Sequence, residues 1–379
     1  MHQRRRHRRG GRRQDRDPLL TAPAMGASGS AVRVGADSLR QFVSDLFVHM
    51  GWKRGEGDIV ADHLVVADQS GHPSHGTGML GTYVDSFRAG AIRPGAEPAD
   101  RPAAPPFAVI DANFALGHIV ALEAVDRAMG MVGQYGVGIV NVIRAHHMGR
   151  IGYYAERAAD AGMISMFWAN VYGRAPLVAP FGGTQARIGT NPHCIGIPRV
   201  GQPPILLDFA TSRIPLGKAR VAHTRGVPAP EGSLLDHRGH ETRNPAVMFE
   251  EPTGALLPFG DHKGYGLALV AELLSSALAG GETIAELDDA GLIANNLLAI
   301  VLDPTRLGQD PESVSERIER YLRWVTDVPL AEGVDAVLAP GDPEFDSRRA
   351  HAGSVELSAE GLARLNAAAA AAGFRPFTA

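Results

Sequence analysis

Three short runs carry the residue types that acid–base chemistry needs: Ser74-His75-Gly76, then His146-His147-Met148-Gly149-Arg150, then Gly189-Thr190-Asn191-Pro192 followed by Leu207-Asp208-Phe209-Ala210. Together they offer two imidazoles able to exchange protons near neutral pH, a carboxylate that can orient one of them, and small turns where backbone can approach a ligand. This is equipment for reversible hydride chemistry on a hydroxy acid, in which a proton moves at oxygen as the hydride moves at carbon.

Each feature also has a plainer reading. His75, between Ser74 and glycine, could be a capping or surface histidine, and His146 and His147 could be hydrogen-bonded loop histidines. Position favours chemistry for the second pair: it ends an apolar stretch and precedes Gly149-Arg150, and strand ends opening into glycine loops are where α/β proteins place ligands. Asp208 leaves the apolar run Ile205-Leu206-Leu207 into Ala210-Thr211-Ser212, where a carboxylate can orient a histidine or cap the next element. Lys218 and Lys263 each lie beside glycine in a chain where lysine is scarce, and can hold a phosphate or carboxylate as point charges. His75, His146, His147 and Cys194 match no metal-ligand spacing, so no metal is expected. Gly76-Thr77-Gly78-Met79-Leu80-Gly81 spells the dinucleotide fingerprint, but a polar turn over 68–75 stands where that motif requires a hydrophobic strand. It is read as a decoy.

The elements that must position these residues show in the pattern. Leu39, Phe42, Val43, Leu46, Phe47 and Met50 recur at helical spacing until Gly51; further helices are expected over 57–68 and 83–88, with a Pro- and Ala-rich linker over 94–106. From Phe107 strands and helices alternate: strand 107–110, helix 119–135, strand 137–143, helix 151–161, strand 163–169 and short strands near 204–207. Helical texture returns over 264–278, 312–325 and 358–372. The expected organisation is a helical domain from both chain ends, 37–105 with 265–379, around an α/β domain over 106–264.

Of the 379 residues 45% are hydrophobic and 21% charged, which fits a globular protein with a sizeable core. A net charge of −4 argues against nucleic acid as a partner, and a single cysteine suits a reducing cytoplasm. Eight arginines crowd residues 4–16 with no apolar core behind them, so the block is not read as an export signal. Translation starting at Met25 explains it better than a functional basic arm, and residues 1–36 are expected to be disordered. No stretch of apolar residues is long enough to cross a membrane as a helix.

Ser74-His75-Gly76, 141–154, 178–183, 189–192, 207–212 with Gly217-Lys218, and His262-Lys263-Gly264-Tyr265-Gly266 resemble, in order, the motifs of the malate/L-lactate dehydrogenase family, over about 38–349. Ser74–Met79 and Asn244–Met248 look most like its hydroxycarboxylate dehydrogenase B branch. The resemblance implies a non-Rossmann fold of the α/β (α+β) class that binds NAD or NADP, with a largely antiparallel or mixed sheet and the helical domain just described, usually as a homodimer. It implies His75 as acid/base, His147 as the second imidazole and Asp208 as support for His75. It places the cofactor by Leu206, Leu207, Asp208, Phe209, Ala210, Lys218, His262, Lys263, Gly341 and Asp342, and the substrate by Ser74, Tyr83, Arg150, Thr190 and Asn191. Many relatives carry an arginine where this chain has Met79, so substrate anchoring must differ, with Arg150 as a substitute. A more apolar pocket would admit 2-hydroxy or 2-oxo acids with bulky or aromatic side chains. The alternatives on the same scaffold are reduction of a cyclic imino acid such as pyrroline- or piperideine-2-carboxylate and a malate/lactate-type dehydrogenase, with a non-catalytic binding protein that keeps the fold as a more distant one.

Overall fold

Residues 32–286 and 293–378 are described in the computed structural model of the chain. The first strand, β1 (Val32–Gly35), leads into α1 (Ala36–His49) and α2 (Arg54–Gln69). Leu39, Phe42, Val43, Leu46 and Phe47 of α1 meet Val60, Ala61, Leu64 and Val65 of α2, as the spacing demands. After the turn that carries Ser74–Gly76, α3 (Leu80–Arg88) closes over this core. The same core takes Val355 and Leu357 of β12 (Ser354–Leu357), Leu365, Ala368 and Ala369 of α10 (Ala359–Ala371), and Phe377. Chain start and chain end therefore share one apolar centre, and β1 pairs antiparallel with β12.

That pairing corrects the expectation of disorder through residue 36: Val34 is buried opposite Val355, which orders the chain from residue 32. The part of that expectation falling on residues 1–31 lies outside the described residues.

Seven strands form one sheet: β2 (Ala99–Arg101), β3 (Phe107–Asp111), β4 (Val137–His146), β5 (Ile164–Tyr172), β6 (His193–Arg199), β7 (Gln202–Phe209) and β11 (Ala294–Leu302), in the order β2-β3-β4-β11-β5-β6-β7. Only β3 and β4, joined through α4 (Gly117–Tyr135), run parallel; the other pairs are antiparallel. The sheet is mixed and the fold is not Rossmann. The glycine-rich decoy forms a 3₁₀ turn over Thr77–Met79 that enters a helix and follows no strand.

Strand β11 departs from the expected organisation, in which everything after 264 was helical. It lies in the middle of the sheet, between β4 and β5, and its run Ala294–Leu302 is almost wholly buried. A strand covered on both faces loses the apolar–polar alternation that would have revealed it.

Side chains alternate across the sheet. Val140 and Val142 of β4 and Phe167 and Ala169 of β5 meet α4 and α5 (Gly152–Asp160) in the second core. On the opposite face Asn141 donates to the carbonyl of Leu274 in α7 (His262–Ser275), 3.1 Å away. A smaller sheet of β8 (Leu234–Leu235), β9 (Glu241–Thr242) and β10 (Ala255–Leu256) packs beside α6 (Leu216–Arg225), and α8 (Pro311–Thr326) and α9 (Asp342–Ala350) complete the helices.

Candidate active site

The end of β4 is the anchor of the site. His146 lies opposite Ala294 of β11, Ala294 lies opposite Tyr172 of β5, and the chain after His146 turns out of the sheet through His147–Ile151. The start of α4 is pressed against this turn: a Cβ on Gly117 would collide with the carbonyl oxygens of His146 and His147. Only glycine allows that approach, and it brings His118 to 6.2 Å from the His147 ring. Gly149, with φ +71°, leaves space for the His63 ring of α2, whose Nε2 accepts the Arg150 N–H at 2.8 Å.

His75 comes from the helical side, on the turn between α2 and α3. Its ring stacks on His147 at 5.7 Å with 18° between planes. The Ser74 hydroxyl lies 3.1 Å from His75 Nδ1, and the Tyr83 hydroxyl 2.8 Å from His147 Nδ1. In both rings it is Nδ1 that meets a hydroxyl, which leaves Nε2 as the other nitrogen. The turn is tied down by Asp68, whose carboxylate accepts from the Thr77 N–H at 2.9 Å and hydroxyl at 2.6 Å.

Burial disfavours charge throughout this cluster. It pulls His75 and His146 down to about 4 and His118 to about 3, with His72 and Arg150 adding to the effect on His75, and the nearby rings of His146 and His75 to that on His118. His63 and His147 are also held well below the usual range by burial and by the surrounding histidines and arginines, Arg174 among them for His147. The imidazoles are therefore neutral near pH 7. Among the described residues no group of three or more His, Cys, Asp or Glu is arranged to hold a metal ion.

Several expected site residues are placed differently. Asp208 does not reach His75; its Oδ2 accepts the Gly152 N–H at 2.8 Å, and burial raises its pKa against the pull of Arg150. Arg150 is 3% exposed, bonded through Nη2 to Glu156 and held charged by Glu156 and Asp208 against its burial. Through that ion pair it braces the turn from inside, while its Nε and Nη1 form no hydrogen bond. Tyr83 is fully buried and reaches His147 instead of the open face. Asn191 is also buried, donating to the Ala268 carbonyl at 3.0 Å and to Glu272 at 2.7 Å in α7. Thr190 accepts from the Thr211 N–H and hydroxyl, both at 2.9 Å, through its carbonyl. Ser74 is exposed.

The expected cofactor residues fall into two groups. Leu206 is buried in the second core, donates its N–H to the Pro340 carbonyl at 3.0 Å and touches the Gly341 turn, while Asp342 caps that turn through the Ala339 N–H at 2.8 Å. Leu207 is exposed; Phe209 stacks on His193 at 5.5 Å; Ala210 follows at the strand end. Lys218, His262 and Lys263 are exposed in the first turns of α6 and α7, which flank the turn 210–215: the Gly217 position lies against Ser74, and Gly264 against the Thr211 carbonyl. Helix N-termini carrying lysines beside a strand end form a donor set suited to a dinucleotide pyrophosphate.

His63 and His118 were not anticipated. The signal for His63 is a histidine on the apolar face of α2, among Val60, Leu64 and Val65, where a buried ring requires a polar partner. His118 had no local signal.

Residues 34–366 match the sequence profile described as malate/L-lactate dehydrogenase. The chain is 40% identical over 325 residues to hydroxycarboxylate dehydrogenase B of Escherichia coli strain K12, covering 84% of this chain and 88% of that protein. It is 40% identical over 320 residues to L-lactate dehydrogenase of Cupriavidus necator, covering 84% and 91%. Its fold matches the solved delta1-piperideine-2-carboxylate reductase of Pseudomonas syringae with a TM-score of 0.79 at 29% identity, over 89% of this chain and 100% of that one.

Proposed function

The chain belongs to the malate/L-lactate dehydrogenase family, hydroxy-acid oxidoreductases acting on a CH–OH group with a nicotinamide cofactor, and from that premise we propose that it interconverts 2-hydroxy and 2-oxo acids with bulky or aromatic side chains. The observation that carries this reading is the stacked pair His75 and His147, with each Nδ1 occupied by a hydroxyl and each Nε2 left over. When bound, NAD or NADP accepts or supplies the hydride. Leu207–Ala210, Lys218, His262, Lys263 and the Gly341-Asp342 turn are the residues we assign to holding it.

His75 carries the proton. Neutral in the free protein, its Nε2 takes the hydroxyl proton during oxidation; during reduction it must first be protonated, which the negative charge of a bound oxo acid favours. The two domain cores meet at His75 and His147, so closure there excludes water and strengthens every charge interaction inside. Met79, half-buried at the edge of the helical core, replaces a cation with a polarizable apolar side chain and supports a bulky substrate.

Exposed Leu269, Val270 and Leu273 on α7 and Tyr321 and Trp324 on α8, the last 74% exposed, support a homodimer. The lone buried Cys194 is compatible with a cytoplasmic protein, and no helix among the described residues is long and apolar enough to cross a membrane. The fold match to a piperideine carboxylate reductase keeps cyclic imine reduction as the second reading.

The test is oxidation of NADH and NADPH with pyruvate, oxaloacetate, phenylpyruvate, 2-oxoisovalerate and pyrroline-2-carboxylate. Selective turnover of the bulky oxo acids supports the first reading, turnover of the imine alone supports the second, and silence with every substrate rejects both.

A further inference from the structure

We propose that Tyr83 is a positioning residue that locks His147 as its neutral Nε2–H tautomer, making His147 a hydrogen-bond donor to the substrate oxygen and leaving His75 as the sole proton carrier. The role toward substrate rests on the dehydrogenase reading above; the tautomer does not.

Tyr83 sits on α3 beneath two imidazoles. Its hydroxyl is 2.8 Å from His147 Nδ1 and 3.4 Å from His118 Nε2. A phenol has one hydrogen to give and lone pairs to accept with, so it donates to one ring and accepts from the other. Two arrangements satisfy both contacts, and His118 decides between them.

Nδ1 of His118 is buried with no partner. If Tyr83 donated to His118 Nε2, the hydrogen of neutral His118 would sit on Nδ1 as an orphaned buried N–H. If His118 donates from Nε2 to the phenol oxygen, Nδ1 keeps only a bare lone pair. Orphaned buried donors are the rarer defect, so the second arrangement is preferred. The phenolic hydrogen then points at His147 Nδ1, and the hydrogen of neutral His147 must be on Nε2. Burial keeps both rings uncharged and the phenol protonated.

His75 contrasts with this. Its Nδ1 faces the hydroxyl of exposed Ser74, which can rotate either to donate or to accept, so His75 can exchange its proton without a buried cost. During reduction the proton leaves Nε2 of His75 for the substrate oxygen, while the Nε2–H of His147 stays in place and stabilises the charge developing there.

The direct test is nitrogen–proton correlation NMR of the full chain with ¹⁵N-labelled histidine, without substrate, using His147→Gln to assign the ring. The expected wild-type spectrum shows Nδ1 of His147 unprotonated and Nε2 protonated; the reverse overturns the proposal, whether or not Tyr83→Phe folds. Tyr83→Phe, which keeps the ring packing, should mix the tautomers, lower kcat about tenfold, the factor one hydrogen bond is worth, and add an acid limb to the pH profile with the KM for NADH or NADPH unchanged. A Tyr83→Phe pH profile superimposed on the wild type overturns it. If the wild type turns over none of the oxo acids but shows the expected tautomer, the dehydrogenase reading has failed and the tautomer lock stands.

Discussion

The imidazole rings of His75 and His147 stack 5.7 Å apart although they come from distant parts of the chain, one on the turn after α2 and one just past the end of β4. Two imidazolium ions in that arrangement would repel, so at most one ring of the pair is charged at a time.

His75, drawn down to about 4 by burial and by nearby His72 and Arg150, is a base in the free protein. The kcat/KM for hydroxy-acid oxidation should therefore hold from neutral pH down and fall on a limb near pH 4, as the base becomes protonated. His75→Ala should lose about 10²- to 10⁴-fold in kcat while cofactor binding, read by fluorescence titration, survives. Loss of both would make His75 a structural residue.

The histidine cluster also sets acid stability. His63, His75, His118, His146 and His147 all have folded-state pKa values below the usual 6.5, so their contribution is fully present above 6.5 and is lost as pH falls through the folded values, about 4 for His75 and His146 and about 3 for His118. Asp68 runs the other way: burial raises it to about 6, so its contribution is present below the unfolded 3.8 and lost as pH rises through 6. Five groups outweigh one. Urea midpoints should fall from pH 6.5 toward 4, with a slope of about 1.4 kcal/mol per pH unit for each proton taken up on unfolding. A flat profile over that range would contradict the burial of the cluster.

Arg150→Met tests whether Arg150 braces the protein or binds substrate. Removing the cation leaves buried Asp208 without its charge partner, while Glu156 keeps Arg348 at 2.7 Å, and the loss should cost about 3–5 kcal/mol in chemical denaturation. A variant of normal stability whose oxo-acid KM alone rose would restore the role of carboxylate anchor.

Met79→Arg addresses substrate choice. A guanidinium at the edge of the site should raise kcat/KM for small, strongly anionic acids such as pyruvate and oxaloacetate relative to phenylpyruvate. A larger gain on phenylpyruvate would remove the argument that Met79 selects bulky side chains.

What the amino-acid sequence determined by itself is local and periodic. The 3.6-residue spacing of Leu39, Phe42, Val43, Leu46 and Phe47 places α1 and its inward face; the polar turn before Gly76 rules out a Rossmann strand; the order of short motifs identifies the family and singles out His75 and His147. Tertiary structure alone decided the rest. Strand β11 hides because burial on both faces erases its alternation, although it joins β4 to β5 at the centre of the sheet. Asp208 turns to Gly152 and Arg150 instead of His75, and Tyr83 reaches under His147 across 64 positions of chain. A helix or strand is specified by neighbours in sequence, but a buried hydrogen bond depends on which distant group arrives within 3 Å. Desolvation makes that partner obligatory without encoding it in the residues alongside.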